Sequence, residues 1–255
     1  MKISIVMPVY NEFLSLPLVL KRVVEAPLPA GCEKEVIIVD DGSTDGTTEL
    51  LQKYDCPCVV NIHHSVINFG KGAAVRVGIA KASGDIILVQ DGDLEYDPND
   101  YVKILEPLVS RKADVVYGSR FLLGVRGMKL ANLMANKILT VTANILFGAG
   151  ITDEATAYKA FRRDVLMKVR LRCLRFEFCP EVTAKLCRVG VRITEVPIAY
   201  NPRGILEGKK IRCRDGFEAF WTLLKYRVAP LKSIKTAPTV DLNGRYRPAS
   251  HTATL

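Results

Sequence analysis

Short apolar runs that each end on acidic residues constrain this chain more than any other feature. Ile3–Met7 runs into Tyr10-Asn11-Glu12, Val36–Val39 into Asp40-Asp41-Gly42-Ser43, and Ile86–Val89 into Asp91-Gly92-Asp93. Runs of this length read as buried strands, and open parallel sheets bind ligands in the crevice beyond the strands' carboxyl ends. Strand ends would therefore deliver carboxylates to one crevice. Two carboxylates one residue apart, Asp91 and Asp93, suit a divalent cation that keeps open positions for phosphate oxygens. A lone Asp-x-Asp is more often a solvated turn. The strand before it and the other acidic strand ends favour the metal.

Strand and helix patterns alternate through the first half of the chain, which predicts an α/β fold with a mostly parallel central sheet flanked by helices. Strands are expected near 2–9, 35–40, 58–63, 85–90 and 114–118, with helices near 14–26, 45–54, 71–82 and 98–111. Pro98 after Asp97 marks a favourable helix start. Helical patterning resumes at 128–147, an apolar segment covers 157–163, and a helix near 177–189 precedes a strand at 191–200. Phe217, Phe220, Trp221 and Leu224 recur at helical spacing. One domain is expected over 1–229, with an alternating α/β half at 1–120 and a helical and loop half at 121–229. Residues 230–255 read as a disordered tail.

Charge is divided along the chain. Residues 1–156 hold 15 Lys/Arg against 19 Asp/Glu, whereas residues 157–230 hold 17 against 7. The acidic half suits a cation, and the basic half suits phosphates or an anionic membrane. No helix-turn-helix, finger or RNA-recognition signature accompanies the charge, so nucleic acid is not expected. The 7 cysteines are scattered without Cys-x-x-Cys spacing and read as reduced thiols of a cytoplasmic protein. Met1-Lys2-Ile3 leads straight into a strand pattern, so no signal peptide is expected. The longest uncharged stretch, Ile138–Thr152, falls short of the roughly 18–20 residues of a spanning helix. It reads as a core helix first and as a helix lying on a membrane second.

Several chemistries are excluded. There is no Gly-x-Ser-x-Gly elbow. Asn68-Phe69-Gly70-Lys71-Gly72 lacks the first glycine and the final hydroxyl of a Walker loop, and Val75 replaces the third glycine of a dinucleotide fingerprint. What remains is a tight strand-to-helix turn, or a turn whose amides and Lys71 face an anion.

Pro8-Val9-Tyr10-Asn11-Glu12, Asp40-Asp41-Gly42-Ser43-Thr44-Asp45-Gly46, Asn68-Phe69-Gly70-Lys71-Gly72, Asp91-Gly92-Asp93-Leu94-Glu95 and Gly118-Ser119-Arg120 occur in that order. Together they resemble family 2 glycosyltransferases of the GT-A fold. Thr152-Asp153, Tyr158-Lys159-Ala160-Phe161-Arg162, Glu195-Val196-Pro197-Ile198 and Glu207-Gly208-Lys209-Lys210-Ile211 resemble the polyprenyl-phosphate (dolichyl-phosphate) hexose synthase branch. The resemblance implies a nucleoside framed by Pro8, Tyr10, Glu12, Val39 and Asp41. It also implies Mg²⁺ or Mn²⁺ on Asp91, Asp93 and Glu95, with Gly92 between them and Lys71 nearby. Asp93 and Arg120 would be the catalytic groups, Arg120 meeting phosphate, and Arg203, Lys209 and Lys210 would close over the site.

That resemblance implies a nucleoside-diphosphate-sugar donor bound by the 1–120 half, a polyprenyl phosphate acceptor met by the 121–229 half, a membrane surface and a membrane-protein partner. Transfer to a sugar hydroxyl needs a positioned base, whereas a phosphate monoester is already anionic. The chain lacks Gln-x-x-Arg-Trp of processive synthases. Transfer to a hydroxyl, with Glu177 or Glu181 as base, and a non-catalytic nucleotide-sugar-binding protein stay open as alternatives.

Overall fold

The computed structural model describes residues 1–124, 127–202, 213–236, 239–240 and 246–247. The first half alternates as the apolar runs predict: β1 (Lys2–Val9), α1 (Leu16–Glu25), β2 (Glu33–Asp40), α2 (Thr47–Gln52), β3 (Val59–His64), α3 (Lys71–Lys81) and β4 (Ile86–Val89). A 3-10 turn at Pro98–Asp100 leads into α4 (Tyr101–Val109), with the Asp97 carboxylate accepting the Asn99 amide at 3.0 Å. Then follow β5 (Val115–Ser119), α5 (Leu130–Phe147), β6 (Lys159–Arg162), α6 (Arg163–Leu166), α7 (Phe178–Arg188), β7 (Thr194–Pro197), α8 (Cys213–Val228) and α9 (Leu231–Ile234). A short antiparallel pair, β8 (Thr239–Val240) and β9 (Tyr246–Arg247), ends the described chain.

The main sheet has 7 strands in the order β3-β2-β1-β4-β6-β5-β7. All neighbours pair in parallel except β6, which runs antiparallel to both β4 and β5. Residues alternate between the two faces of each strand, so one sheet feeds two cores. Ile3, Ile5, Met7 and Ile38 pack with Leu16, Val19, Leu20 and Val23 of α1 and with Tyr101, Ile104 and Leu105 of α4. Val6, Ile37, Val39, Ile87 and Val89 pack on the other face with α3, α5, α7 and α8.

Glycine sets how closely α3 approaches the sheet. A Cβ at Gly78 would stand 2.3 Å from Val6 Cγ1. Gly78→Ala is therefore expected to lower stability by about 1–3 kcal/mol through overpacking, outweighing the roughly 1 kcal/mol that alanine gains in a helix. A urea titration reads this as a lower midpoint. An unchanged midpoint would mean that β1 yields to the helix.

Two expectations change. The ordered fold continues past residue 229: Ile234 is fully buried, the Arg170 amide donates to Ile234 O, and the Thr236 amide donates to Lys168 O. Residues 237–238, 241–245 and 248–255 of the expected tail lie outside the described residues. The second change concerns α5, a single 18-residue helix of mean hydropathy 1.3, long and apolar enough by composition to cross a membrane. The uncharged stretch alone looked too short because the helix starts earlier and carries Lys137 within it. It is not a core helix. Leu139, Thr140 and Ala143 face the domain, while Leu130, Met134, Ile138, Val141 and Ile145 form an exposed stripe at helical spacing.

Candidate active site

Neighbouring strands β2, β1 and β4 end side by side, and short hydrogen bonds lace their ends together. Asn11, held at φ 49°, receives the Thr44 amide on Oδ1 at 2.8 Å and donates its own amide to Ser43 Oγ. The Glu12 amide donates to Thr47 Oγ1, and Glu12 Oε2 accepts Ser15 Oγ at 2.6 Å. Tyr10 sits half-buried beyond β1, and Pro8 and Val39 are buried in the strand ends. Gly92 fits tightly against β1, where a Cβ would meet Val9 Cγ2 at 3.1 Å. Below it, Gln90 Oε1 accepts the hydroxyls of Tyr101 and Tyr158 at 2.8 and 2.5 Å, fixing the floor under Asp91.

Asp40 and Asp41 have separate tasks. Asp40 is buried and accepts from the Ser43 amide, Thr48 Oγ1 and the His64 ring, which makes it a brace for the turn. Asp41 accepts the Phe69 and Gly70 amides at 2.9 and 2.7 Å. Burial raises its pKa, and Asp40 adds to that, against the lowering pull of those two amides. A carboxylate has lone pairs beyond two acceptances.

The glycine turn is not an open anion cradle. The Phe69 and Gly70 amides serve Asp41, while the Gly72 and Ala73 amides donate to the carbonyls of Arg175 and Leu174 at 2.8 and 2.9 Å. The 173–175 segment fits here because glycine leaves room: a Cβ at Gly70 would lie 2.5 Å from Leu174 O. From this turn, the Lys71 side chain points into the crevice. Its Nζ lies 2.6 Å from Asp91 Oδ1. Burial opposes the lysine's charge, but Asp91, with support from Cys179 and Asp93, holds its pKa above the usual value.

The donor set fits a cation that brings most of its own shell. Asp93 Oδ1 accepts the Glu95 amide at 3.0 Å, shaping the turn that carries both aspartates. Mg²⁺ commonly takes one or two carboxylates and completes its octahedron with phosphate oxygens and water. Among the described residues no three metal-ligating side chains converge on one point. Glu95 accepts the Tyr200 hydroxyl at 3.3 Å.

The opposite lip is built around Arg120. Because β6 is antiparallel, the 152–158 segment that feeds it arrives at the same end of the sheet as Arg120, just beyond β5. Asp153 grips the guanidinium at two points, Nε to Oδ2 and Nη2 to Oδ1, both 2.7 Å, and also accepts the Arg120 amide. Arg120 is 7% exposed and Asp153 is 0%. Glu195 in turn accepts the Thr152 amide, the Thr152 hydroxyl and the Asp153 amide. The guanidinium lies over the Tyr200 ring, 5.0 Å from its centroid. Sequence reasoning gave Asp153 and Glu195 no role, although both stand in motifs that it singled out. Arg203, Lys209 and Lys210 lie outside the described residues.

Neither candidate base is placed as one. Glu181 is fully buried and accepts from the Arg172 amide, Lys185 Nζ and the Tyr226 hydroxyl, where it ties α7 to α8. Glu177 accepts the Leu174 and Arg175 amides at 2.7 and 2.9 Å. A separate cleft of about 530 Å³ is lined by Asp85, Ile86, Arg111, Arg162 and Arg163. It opens where β4 begins, the wrong end of a parallel sheet for the ligand crevice.

The sequence model of the family described as Glycosyl transferase family 2 matches residues 4–170. An undecaprenyl-phosphate mannosyltransferase of Micrococcus luteus is 32% identical over 222 residues, covering 82% of this chain and 87% of the relative. A polyprenol monophosphomannose synthase of Mycolicibacterium smegmatis is 30% identical over 223 residues, 82% of each chain. The crystal structure of glucosyl-3-phosphoglycerate synthase from Mycobacterium tuberculosis, in complex with Mn²⁺, uridine diphosphate and phosphoglyceric acid, is similar with TM-score 0.67 and 22% identity. That likeness covers 90% of this chain and 79% of the other, and it shows the shared GT-A fold.

Proposed function

From the premise that the chain belongs to glycosyl transferase family 2 and is a glycosyltransferase, we propose that it moves a hexose from a nucleoside-diphosphate sugar to a polyprenyl phosphate. The 1–120 half receives the donor, with Pro8, Tyr10, Glu12, Val39 and Asp41 framing the nucleoside. The 121–229 half receives the acceptor. Asp91 and Asp93 would hold Mg²⁺ or Mn²⁺, with Glu95 beside them, and such an ion neutralises charge on the departing diphosphate. Lys71 and Arg120 flank the same crevice and favour phosphate oxygens from either side.

The observation that carries the acceptor class is the state of the two candidate bases. Glu181 is fully enclosed in the α7–α8 interface, where its Oε1 takes three donors, and Glu177 holds two backbone amides. A phosphate monoester attacks as an anion and needs no such base, so the residues present suffice for it. The similar bacterial transferases, whose names specify undecaprenyl and polyprenol acceptors, support the same choice.

A lipid acceptor places the enzyme at a membrane, and α5 supplies the face. Its inner side packs on α7 and α8, so the helix lies on the domain with its outer stripe exposed. Phe217 and Trp221 of α8 are exposed too, and Lys129, Lys137, Lys225 and Arg227 lie on the same two helices or at their ends. This combination suits peripheral binding at the cytosolic face of an anionic membrane.

The test incubates the protein with GDP- or UDP-hexoses, Mg²⁺ or Mn²⁺, and either a short-chain polyprenyl phosphate or a soluble sugar. Transfer to the lipid phosphate alone is expected. Transfer to the soluble sugar and never to the lipid would overturn the acceptor. In parallel, the protein should sediment with anionic vesicles at low salt and be released as salt rises, and Ile145→Glu should weaken that binding. Indifference to vesicles would remove the membrane face.

A further inference from the structure

Lys71 stands at an unfavourable place for a cation. It is the first residue of α3, whose amino end carries the positive pole of the helix dipole, and the first turn contains no acidic residue. The nearby amides that would otherwise draw an anion to this turn are taken by Asp41, Leu174 and Arg175. The ammonium is held instead by Asp91, at 2.6 Å, with both side chains mostly shielded from solvent at 23% and 15% exposure. One carboxylate is thus shared between two claims. It is half of the aspartate pair proposed to hold the divalent ion, and it is the counter-ion of Lys71.

We propose that Lys71 is an exchangeable occupant of the metal site: its ammonium neutralises Asp91 in the donor-free enzyme and yields that carboxylate to a divalent cation when a diphosphate arrives to receive it. This deepens the functional reading above and rests on its assignment of a diphosphate donor and a metal. In the donor-free state an incoming cation must displace a close ion pair and then sit beside a fixed positive charge, so it binds weakly. A diphosphate offers Lys71 a second anion, frees Asp91 and contributes oxygens to the ion. Cation and diphosphate therefore bind synergistically, and the coupling is reciprocal. The exchange keeps Asp91 neutralised in both states.

Mn²⁺ binding to the donor-free protein, followed by water-proton relaxation, tests this without any turnover. Lys71→Met should bind Mn²⁺ at least about tenfold more tightly than wild type, the scale expected when a close charge pair is removed. Lys71→Arg, which keeps the positive charge, should stay near wild type. Asp91→Asn should abolish the gain when combined with Lys71→Met. Adding GDP or UDP should tighten Mn²⁺ binding in wild type by a larger factor than in Lys71→Met. If Lys71→Met binds Mn²⁺ no more tightly than wild type without nucleotide, the exchange is overturned. The wild-type transfer assay separates the two claims. Failure to use a polyprenyl phosphate sinks the acceptor and leaves the Mn²⁺ comparison standing, whereas full transfer with no tightening in Lys71→Met sinks the exchange alone.

Discussion

Asp93→Asn should reduce sugar transfer by about a thousandfold or more while the protein stays within about 1 kcal/mol of wild-type stability. The substitution is nearly isosteric. Asn keeps an oxygen that can accept the Glu95 amide, now made at 3.0 Å by Asp93 Oδ1, so the turn carrying Asp91 survives. What disappears is one negative charge at the end of β4. Asp91 also pairs with Lys71, and Asp93 adds the second negative charge of the pair that would attract a divalent ion. The ion's contribution is largest as the diphosphate departs, and its loss should appear in kcat more than in donor affinity. A rate near wild type at saturating Mn²⁺ would remove Asp93 from the chemistry.

The gathering of carboxylates at one end of the sheet was legible because it is local in sequence. Each carboxylate group follows its own strand by one to four residues, and β1, β2 and β4 are parallel neighbours. Reading strand ends was therefore equivalent to reading positions in space. The same reasoning left two readings open at the amides of residues 69–73, a tight turn and an anion-facing one. Their partners are Asp41, nearly thirty residues earlier, and Leu174 and Arg175, about a hundred residues later. No pattern within the turn announces such partners. The build of the Arg120 lip was hidden for a topological reason. A parallel reading of the strands would not place the 152–158 segment at the crevice, but β6 runs antiparallel between β4 and β5, which brings Asp153 to Arg120. The exposure of α5 was equally hidden, because a helix apolar on most sides gives no contrast by which to tell its buried stripe from its outer one.

The resemblance gave Arg120 one task, to meet phosphate in the crevice, and loss of a group with that task alone would affect turnover far more than stability. The structure changes that expectation. Arg120→Ala would leave Asp153 fully buried without its cation, and breaking a buried pair from one side costs about 3–5 kcal/mol. The single variant should therefore lose both fold and activity, which says little about mechanism. Arg120→Met combined with Asp153→Asn separates the two effects. The thioether fills the guanidinium's stem volume, the amide oxygen still accepts the residue 120 amide at the position of the present 3.0 Å bond, and no charge is stranded. Chemical denaturation should show most of the lost stability returned, since an uncharged replacement of a buried pair is often neutral. Transfer should not return with it. If Arg120 stabilises phosphate charge in the crevice, the double variant stays at least about a hundredfold below wild type. A stable double variant that transfers sugar at the wild-type rate would make the Arg120–Asp153 pair purely a strut between β5 and the segment entering β6.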